Sequence, residues 1–328
     1  MADTKRIEFL IFLLISSFAC FFSSKEPNKE VNERPIVGVV VMDIIDAVLL
    51  KTYPNLRGKH FVPASYVKLI EMTGARLVPI SSKMSNEKVK TIFNSVNGLL
   101  FPGAGNNLNH SGYHNVTKKL FELSMTANKN GEVFPILGIC RGFQALIVHV
   151  EGNESPIIAT DSQDYPATVR WNRKSLKNSF LSSMPKMMIQ YSEKHPITAH
   201  FHKYSITSDF FKRSSKLNNF FDILATSLDR NGTEFVSAME GKKFPFYGIQ
   251  FHPEKTMFEW STTVSIPHSP QAIQLGQFIA NSFMEQVRRN KRHFFKSSME
   301  REYVIEKYHL MRIDDIDGHA PFQEIYII

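Results

Sequence analysis

Cysteine is almost absent from this chain: two residues in 328, Cys20 and Cys140. That scarcity excludes a disulfide framework and a cysteine-rich metal centre, and no Cys/His cluster implies a metal or any other cofactor. After Phe22 no apolar run is long enough to span a bilayer. Internal repeats and low-complexity segments are also missing, which excludes a solenoid. Acidic residues are in deficit, 31 against 39 lysines and arginines. The resulting charge of +8 sits largely in local runs such as Arg288-Arg289-Asn290-Lys291-Arg292, which read as a solvated helix end. With 43% apolar and 21% charged residues the composition is globular rather than disordered.

The N-terminus reads as a signal peptide over residues 1–24. Lys5 and Arg6 precede a short apolar stretch from Phe9 to Phe22, with cleavage after Ala19 or near Ser24. An uncleaved anchor is the competing reading. Residues 25–34 form a polar leader. Sequons at Asn109, Asn115, Asn153 and Asn231 fit passage through the secretory pathway, towards a lysosome or vacuole or the extracellular space. That destination argues against a nucleic-acid partner, and signal cleavage leaves no membrane attachment. Cys20 lies in or beside the removed segment. Cys140 is then the one cysteine of the mature body, either a reactive thiol or a buried structural residue.

From Pro35 the chain alternates strands with helices. Strands are expected at Pro35–Met42, Arg76–Ile80, Gly98–Phe101 and Phe134–Ile139, and helices at Ser65–Thr73, Ser85–Asn94 and Val116–Asn128. Their uninterrupted apolar character marks strands buried on both faces. The alternation implies βαβ units and a mostly parallel central sheet flanked by helices, an α/β fold whose ligands bind beyond the carboxyl ends of the strands. After Ala159 the pattern changes to short strands at Ile223–Ser227, Glu234–Met239 and Pro245–Phe251, separated by turns at Asp229–Gly232 and Glu240-Gly241. A closing helix is expected at Gln271–Arg288, and an edge strand at Glu324–Ile328.

Gly138-Ile139-Cys140-Arg141-Gly142 stands between the fourth strand and a helical stretch from Phe143 to Val150. A G-x-C-x-G at such a junction has the form of a nucleophile elbow, in which flanking glycines permit the turn that presents the middle side chain. A cysteine nucleophile needs a base, and the base an orienting group. His252-Pro253-Glu254 follows an apolar strand, where residues two apart face the same side. Glu254 can then hold the imidazole of His252, and the imidazolium raises the thiolate fraction at Cys140. The backbone N–H of Arg141 at the helix start is one oxyanion donor. A second comes from the small-residue loop Pro102-Gly103-Ala104-Gly105, through Gly103 or Ala104, unless that loop is an ordinary tight turn.

These features resemble the class I glutamine amidotransferase superfamily, which has a flavodoxin-like fold. Several segments resemble its γ-glutamyl hydrolase branch: Ala64–Lys68, Gly74–Ile80, Leu100–Gly103, Thr198–Ser205, Met239–Gly241 and Gly248–Lys255. The similarity runs from about Pro35 to Arg292, giving a catalytic domain at 35–296 and a tail at 297–328 that packs on or extends it. It implies hydrolysis of γ-linked glutamates in folate and antifolate polyglutamates, a small-molecule substrate, with Cys140 as nucleophile, His252 as base and Glu254 as orienter. The same resemblance places Tyr66, Gln144 and His202 in the glutamate pocket and leads one to expect a homodimer. Three positions depart from the family pattern: Ala104 in place of glycine, Arg141 in place of leucine, and Gln144 where an acidic residue is frequent. Two rival readings stand, a glutaminase module serving a synthetase and a secreted γ-glutamyl-binding protein without turnover.

Overall fold

The computed structural model describes residues 31–103, 105, 111–313 and 322–328. Cys20, the expected signal peptide, Ala104 and Asn109 lie outside the described residues. Strands β1 (Ile36–Val40), β2 (Met42–Asp43), β3 (His60–Pro63), β4 (Arg76–Ile80), β5 (Gly98–Phe101) and β6 (Ile136–Ile139) occupy the first half of the chain. They are followed by β7 (Ile158–Ala167), β8 (Arg170–Trp171), β9 (Thr198–Ser205), β10 (Phe221–Leu228), β11 (Glu234–Gly241), β12 (Phe246–Ile249), β13 (His309–Arg312) and β14 (Glu324–Ile327).

The main sheet has the order β4-β1-β5-β6-β12-β11-β10-β8. Its first five strands are parallel and the last three antiparallel. Within the parallel part the second strand lies outside the first, and the rest follow in chain order, as in flavodoxin-like sheets. Every residue of β1, β5, β6 and β12 is buried. Because successive side chains point to opposite faces, Ile36 and Val40 enter one core while Val37 and Val39 enter the other. A continuous apolar run therefore specifies a sheet covered on both sides.

The principal helices are α1 (Ala64–Glu71), α2 (Asn86–Phe93), α3 (Gly112–Lys129), α4 (Arg141–Glu151) and α5 (Pro270–Val287). Three of them start at serines whose hydroxyls accept a backbone N–H: Ser85 from Lys88, Ser111 from His114 and Ser269 from Ala272. Helix α3 begins four residues before the expected Val116, at the Ser111 cap. No helix among the described residues is long and apolar enough to cross a membrane.

Other boundaries differ from expectation. β11 runs through Glu240 and Gly241, which were expected to form a turn, and the chain reverses over 242–245 instead. β14 is not an edge strand. It lies between β13 and β3 in a second sheet, β13-β14-β3-β2, and Ile328 exchanges backbone hydrogen bonds with His60 on both sides. That placement depends on His60–Pro63, a strand of four buried residues with no alternation to announce it. β7 and β9 form a separate antiparallel ribbon.

Candidate active site

β6 delivers Cys140 to the carboxyl end of the sheet. The residue sits at φ 52°, ψ −103°, a left-handed backbone unusual for a side chain with a Cβ. Its N–H is held by the Ile249 carbonyl of β12 at 2.8 Å, which fixes the turn from the neighbouring strand. Both flanking glycines are required by close approach. A methyl on Gly138 would stand 2.5 Å from the Gly142 carbonyl oxygen, and one on Gly142 would overlap the Phe101 carbonyl. The chain thus turns sharply from strand to helix, and α4 begins at Arg141 with its N-terminus aimed at the thiol. Cys140 is 8% exposed.

β12 delivers His252. Its N–H is donated to the Ala199 carbonyl of β9 at 2.8 Å. The imidazole Nδ1 lies 2.6 Å from Glu254 Oε1. The expectation that His252 and Glu254 share a side of an extended strand is not met: β12 ends at Ile249, and Glu254 has helical dihedrals at the head of the short helix Lys255–Phe258. A turn folds the carboxylate back onto the ring instead. Because the carboxylate can only accept, Nδ1 carries the proton and Nε2 is left for the thiol. Burial is the largest single influence and lowers the His252 pKa, but Glu254 and Cys140 together outweigh it, through charge and hydrogen bonding, and the net value is about 9. Nε2 is buried without a hydrogen bond of full geometry, although the thiol lies close enough to raise the ring's basicity by charge and contact. Catalytic pairs in unliganded proteins are often this loose.

Tyr66, expected in a substrate pocket, touches the dyad itself. Its hydroxyl accepts the Gly103 N–H at 2.9 Å and lies 3.2 Å from His252 Nδ1. Burial, then the Glu254 charge, pushes its phenol well above the usual range, so it stays neutral. A methyl built on Gly103 would sit 2.5 Å from that hydroxyl, 3.0 Å from His252 Cε1 and 3.3 Å from Cys140 Cβ. Tyr66, His252 and Cys140 therefore converge on this glycine. The Gly103 N–H, read from sequence as an oxyanion donor, is committed to Tyr66 here. The Arg141 N–H stands at the start of α4, directly after Cys140.

The other two residues expected in the pocket are both held in hydrogen-bond networks. Gln144 is 2% exposed and its amide is fully engaged: Oε1 accepts from Arg141 Nη1 at 3.0 Å, and Nε2 donates to the Tyr204 carbonyl at 2.7 Å and to Gln250 Oε1 at 3.4 Å. His202 is buried in a chain of polar side chains. Thr198 Oγ1 donates to the Ala167 carbonyl, so His200 Nε2 must donate to Thr198, and His200 Nδ1 accepts from His202 Nε2 at 2.9 Å. His202 Nδ1 then faces the Thr160 hydroxyl at 3.4 Å. Burial first, and His252 second, hold the His202 pKa down at about 3, so it is neutral. Phe201, which stands between this pair on β9, faces the site instead. Phe201 meets the His252 ring edge-on at 5.9 Å, and Lys255 Nζ lies 5.0 Å from the Phe201 ring centre. Phe201 falls within a segment already singled out, yet nothing in its residue type announces this contact.

Asn115, Asn153 and Asn231 are all exposed, on α3, after α4 and in the β10–β11 turn respectively. A further polar cluster has no counterpart in the sequence reading: His60 lies 2.6 Å from Ser81 Oγ and 2.7 Å from Asp43 Oδ1. It ties the second sheet to the end of β4.

Comparison with known proteins places this geometry in context. The family model described as Peptidase C26 matches residues 35–254. A gamma-glutamyl hydrolase of Bos taurus is 35% identical over 303 residues, covering 92% of this chain and 92% of the relative. Gamma-glutamyl hydrolase 1 of Arabidopsis thaliana is 31% identical over 272 residues, 82% of this chain and 75% of that one. Among solved structures, the glutaminase domain of Trypanosoma brucei CTPS with bound acivicin superimposes with a TM-score of 0.50 at 15% identity, over 78% of this chain and 95% of that domain. At that identity the likeness is one of fold.

Proposed function

The chain belongs to the peptidase C26 family, with gamma-glutamyl hydrolases as its relatives, and from that premise we propose how its site hydrolyses γ-glutamyl bonds in folate polyglutamates. The observation that carries the mechanism is Cys140 on a strained elbow beside a histidine whose far nitrogen is held by a buried carboxylate.

With a pKa of about 9, His252 is an imidazolium at neutral pH. It supports a thiolate at Cys140, and burial on both sides excludes the water that would screen the pair. The thiolate attacks the γ-carbonyl carbon. The oxygen gains negative charge, and the Arg141 N–H at the α4 N-terminus stabilises it. The carbon–nitrogen bond breaks as His252 Nε2 gives its proton to the leaving amine. A thioester remains. Acylation removes the negative charge that Cys140 contributed to His252, so the ring is a weaker base than in the free enzyme but now holds an open Nε2. Glutamate or a γ-glutamyl peptide has by then departed as the leaving amine. The ring takes a proton from water, and the hydroxide attacks the thioester carbon, releasing the shortened folate as its γ-carboxylate and returning Cys140 to the thiolate. Glu254 holds the ring orientation and tautomer through both steps.

Secretory targeting is part of the same proposal. It is supported by the basic and apolar N-terminal segment and by exposed sequons at Asn115, Asn153 and Asn231. The test of activity uses purified protein on a folate pentaglutamate with product chain lengths resolved, and Cys140→Ala as control. Turnover by the wild type and none by the variant is the expected result. Equal turnover by both removes the thioester mechanism, and no turnover by the wild type on any γ-glutamyl peptide favours a binding protein.

A further inference from the structure

The residue directly after Cys140 carries a cation. Arg141 is half-buried, and its guanidinium is fixed by Gln144 Oε1 at 3.0 Å. Gln144 is itself held, because its amide donates to the Tyr204 carbonyl and to the buried Gln250. The guanidinium is therefore anchored on the buried Gln144, within one helical turn of Cys140. Its charge is felt on the far side as well. Tyr113, whose hydroxyl donates to the Pro102 carbonyl at 2.7 Å, has its phenol raised by burial and drawn back by the positive charge of Arg141. Arg141 thus lies directly after Cys140, at the positive end of an eleven-residue helix.

We propose that the Arg141 side chain is a specificity determinant that binds the α-carboxylate of the glutamyl unit whose γ-carbonyl is attacked. The inference rests on the γ-glutamyl hydrolase reading above and names how this chain would recognise that substrate. In a γ-linked chain each glutamyl unit keeps a free α-carboxylate, separated from the γ-carbonyl carbon by three methylene and methine carbons. That spacing allows a substrate whose γ-carbonyl lies at Cys140 to bring its α-carboxylate to a cation held on the next residue. A guanidinium accepts a carboxylate through two parallel N–H bonds, and one already locked by Gln144 loses little freedom on binding. A lysine keeps the charge but not the fork. Gln144, expected to touch substrate itself, acts instead as the positioning residue for Arg141.

The experiment compares two probes, p-aminobenzoyl-Glu-γ-Glu and the same compound with the inner α-carboxyl converted to carboxamide. The readout is the ratio of kcat/KM for acid over amide, measured for the wild type, Arg141→Leu, Arg141→Lys and Gln144→Leu. The wild type is expected to prefer the acid. Arg141→Leu lowers that ratio by about tenfold or more, mainly through KM, and Arg141→Lys retains only part of it. Gln144→Leu lowers the ratio less than Arg141→Leu, since it frees the fork without removing it. A general effect of charge on the thiolate would slow both probes equally and leave the ratio unmoved. An unchanged ratio in a folded, active Arg141→Leu enzyme overturns the proposal. Failure of the wild type on both probes overturns the hydrolase reading instead, and the two failures are thereby distinct. Circular dichroism and a thermal melt on each variant confirm that the ratio is read on folded protein.

Discussion

Replacing Glu254 by glutamine removes the charge that keeps His252 protonated while preserving the shape of the side chain. The wild-type ring has a pKa of about 9 against an ordinary 6.5, a difference worth about 3 kcal/mol in favour of the charged form. Burial works in the other direction, and Glu254 is the largest of the groups that overcome it. Without the carboxylate, burial is opposed chiefly by Cys140, and His252 is expected to titrate below about 7. The protonated fraction at neutral pH then falls from nearly all to half or less. The kcat/KM at neutral pH is expected to fall by roughly a hundredfold, the lower range for loss of a positioned acid–base group. The assay follows the ¹³C-labelled ring of His252 by NMR as pH is raised, in parallel with the pH profile of kcat/KM. The stability sign is set by the same shift. A pKa raised on folding stabilises the protein fully below the unfolded value of about 6.5, and this is lost as pH rises towards about 9. The stability gap between wild type and Glu254→Gln should be widest in mild acid, of the order of 3 kcal/mol, and should narrow in alkali. A ring that titrates within one unit of the wild-type value in the variant refutes the reasoning.

Two further substitutions test the framing of the site. Gly142→Ala places a methyl onto the Phe101 carbonyl, a backbone atom that cannot rotate away; a loss of more than about 3 kcal/mol in urea unfolding is expected, and a variant as stable as wild type contradicts the elbow geometry. Tyr66→Phe strips the hydroxyl that accepts the Gly103 N–H and touches His252; it should cost about 1–2 kcal/mol of stability and lower kcat more than it raises KM, measured by steady-state kinetics on a γ-glutamyl peptide.

Much of this site is legible in the sequence. Gly138 and Gly142 announced a turn too tight for side chains, and the structure shows carbonyls where their Cβ atoms would lie. His252 and Glu254 were correctly paired although the geometric reason was different: a helical turn at Glu254 rather than an extended strand brings them together. Tyr66 was placed at the substrate although its hydroxyl is spent on the dyad and on Gly103. Gln144 and His202 were assigned to the pocket by resemblance, yet their polar atoms are consumed by Arg141, Tyr204, Gln250, His200 and Thr160. A motif specifies which residue types meet a site, and the hydrogen-bond partners of each depend on neighbours it does not contain.

The sequence by itself determined the parallel sheet, because runs such as Ile36–Val40 and Ile136–Ile139 are apolar without interruption and can only be covered on both faces. It also singled out Cys140 as the candidate nucleophile, since glycines on either side at a strand-to-helix junction permit the turn that presents the side chain between them. Tertiary structure alone decided what surrounds that cysteine. Tyr66 and His252 are 186 residues apart in the chain and 3.2 Å apart in space, and β14 becomes an inner strand only because β3 and β13 arrive on its two sides. Contacts of that kind are fixed by how layers stack and close, and local pattern carries no trace of them.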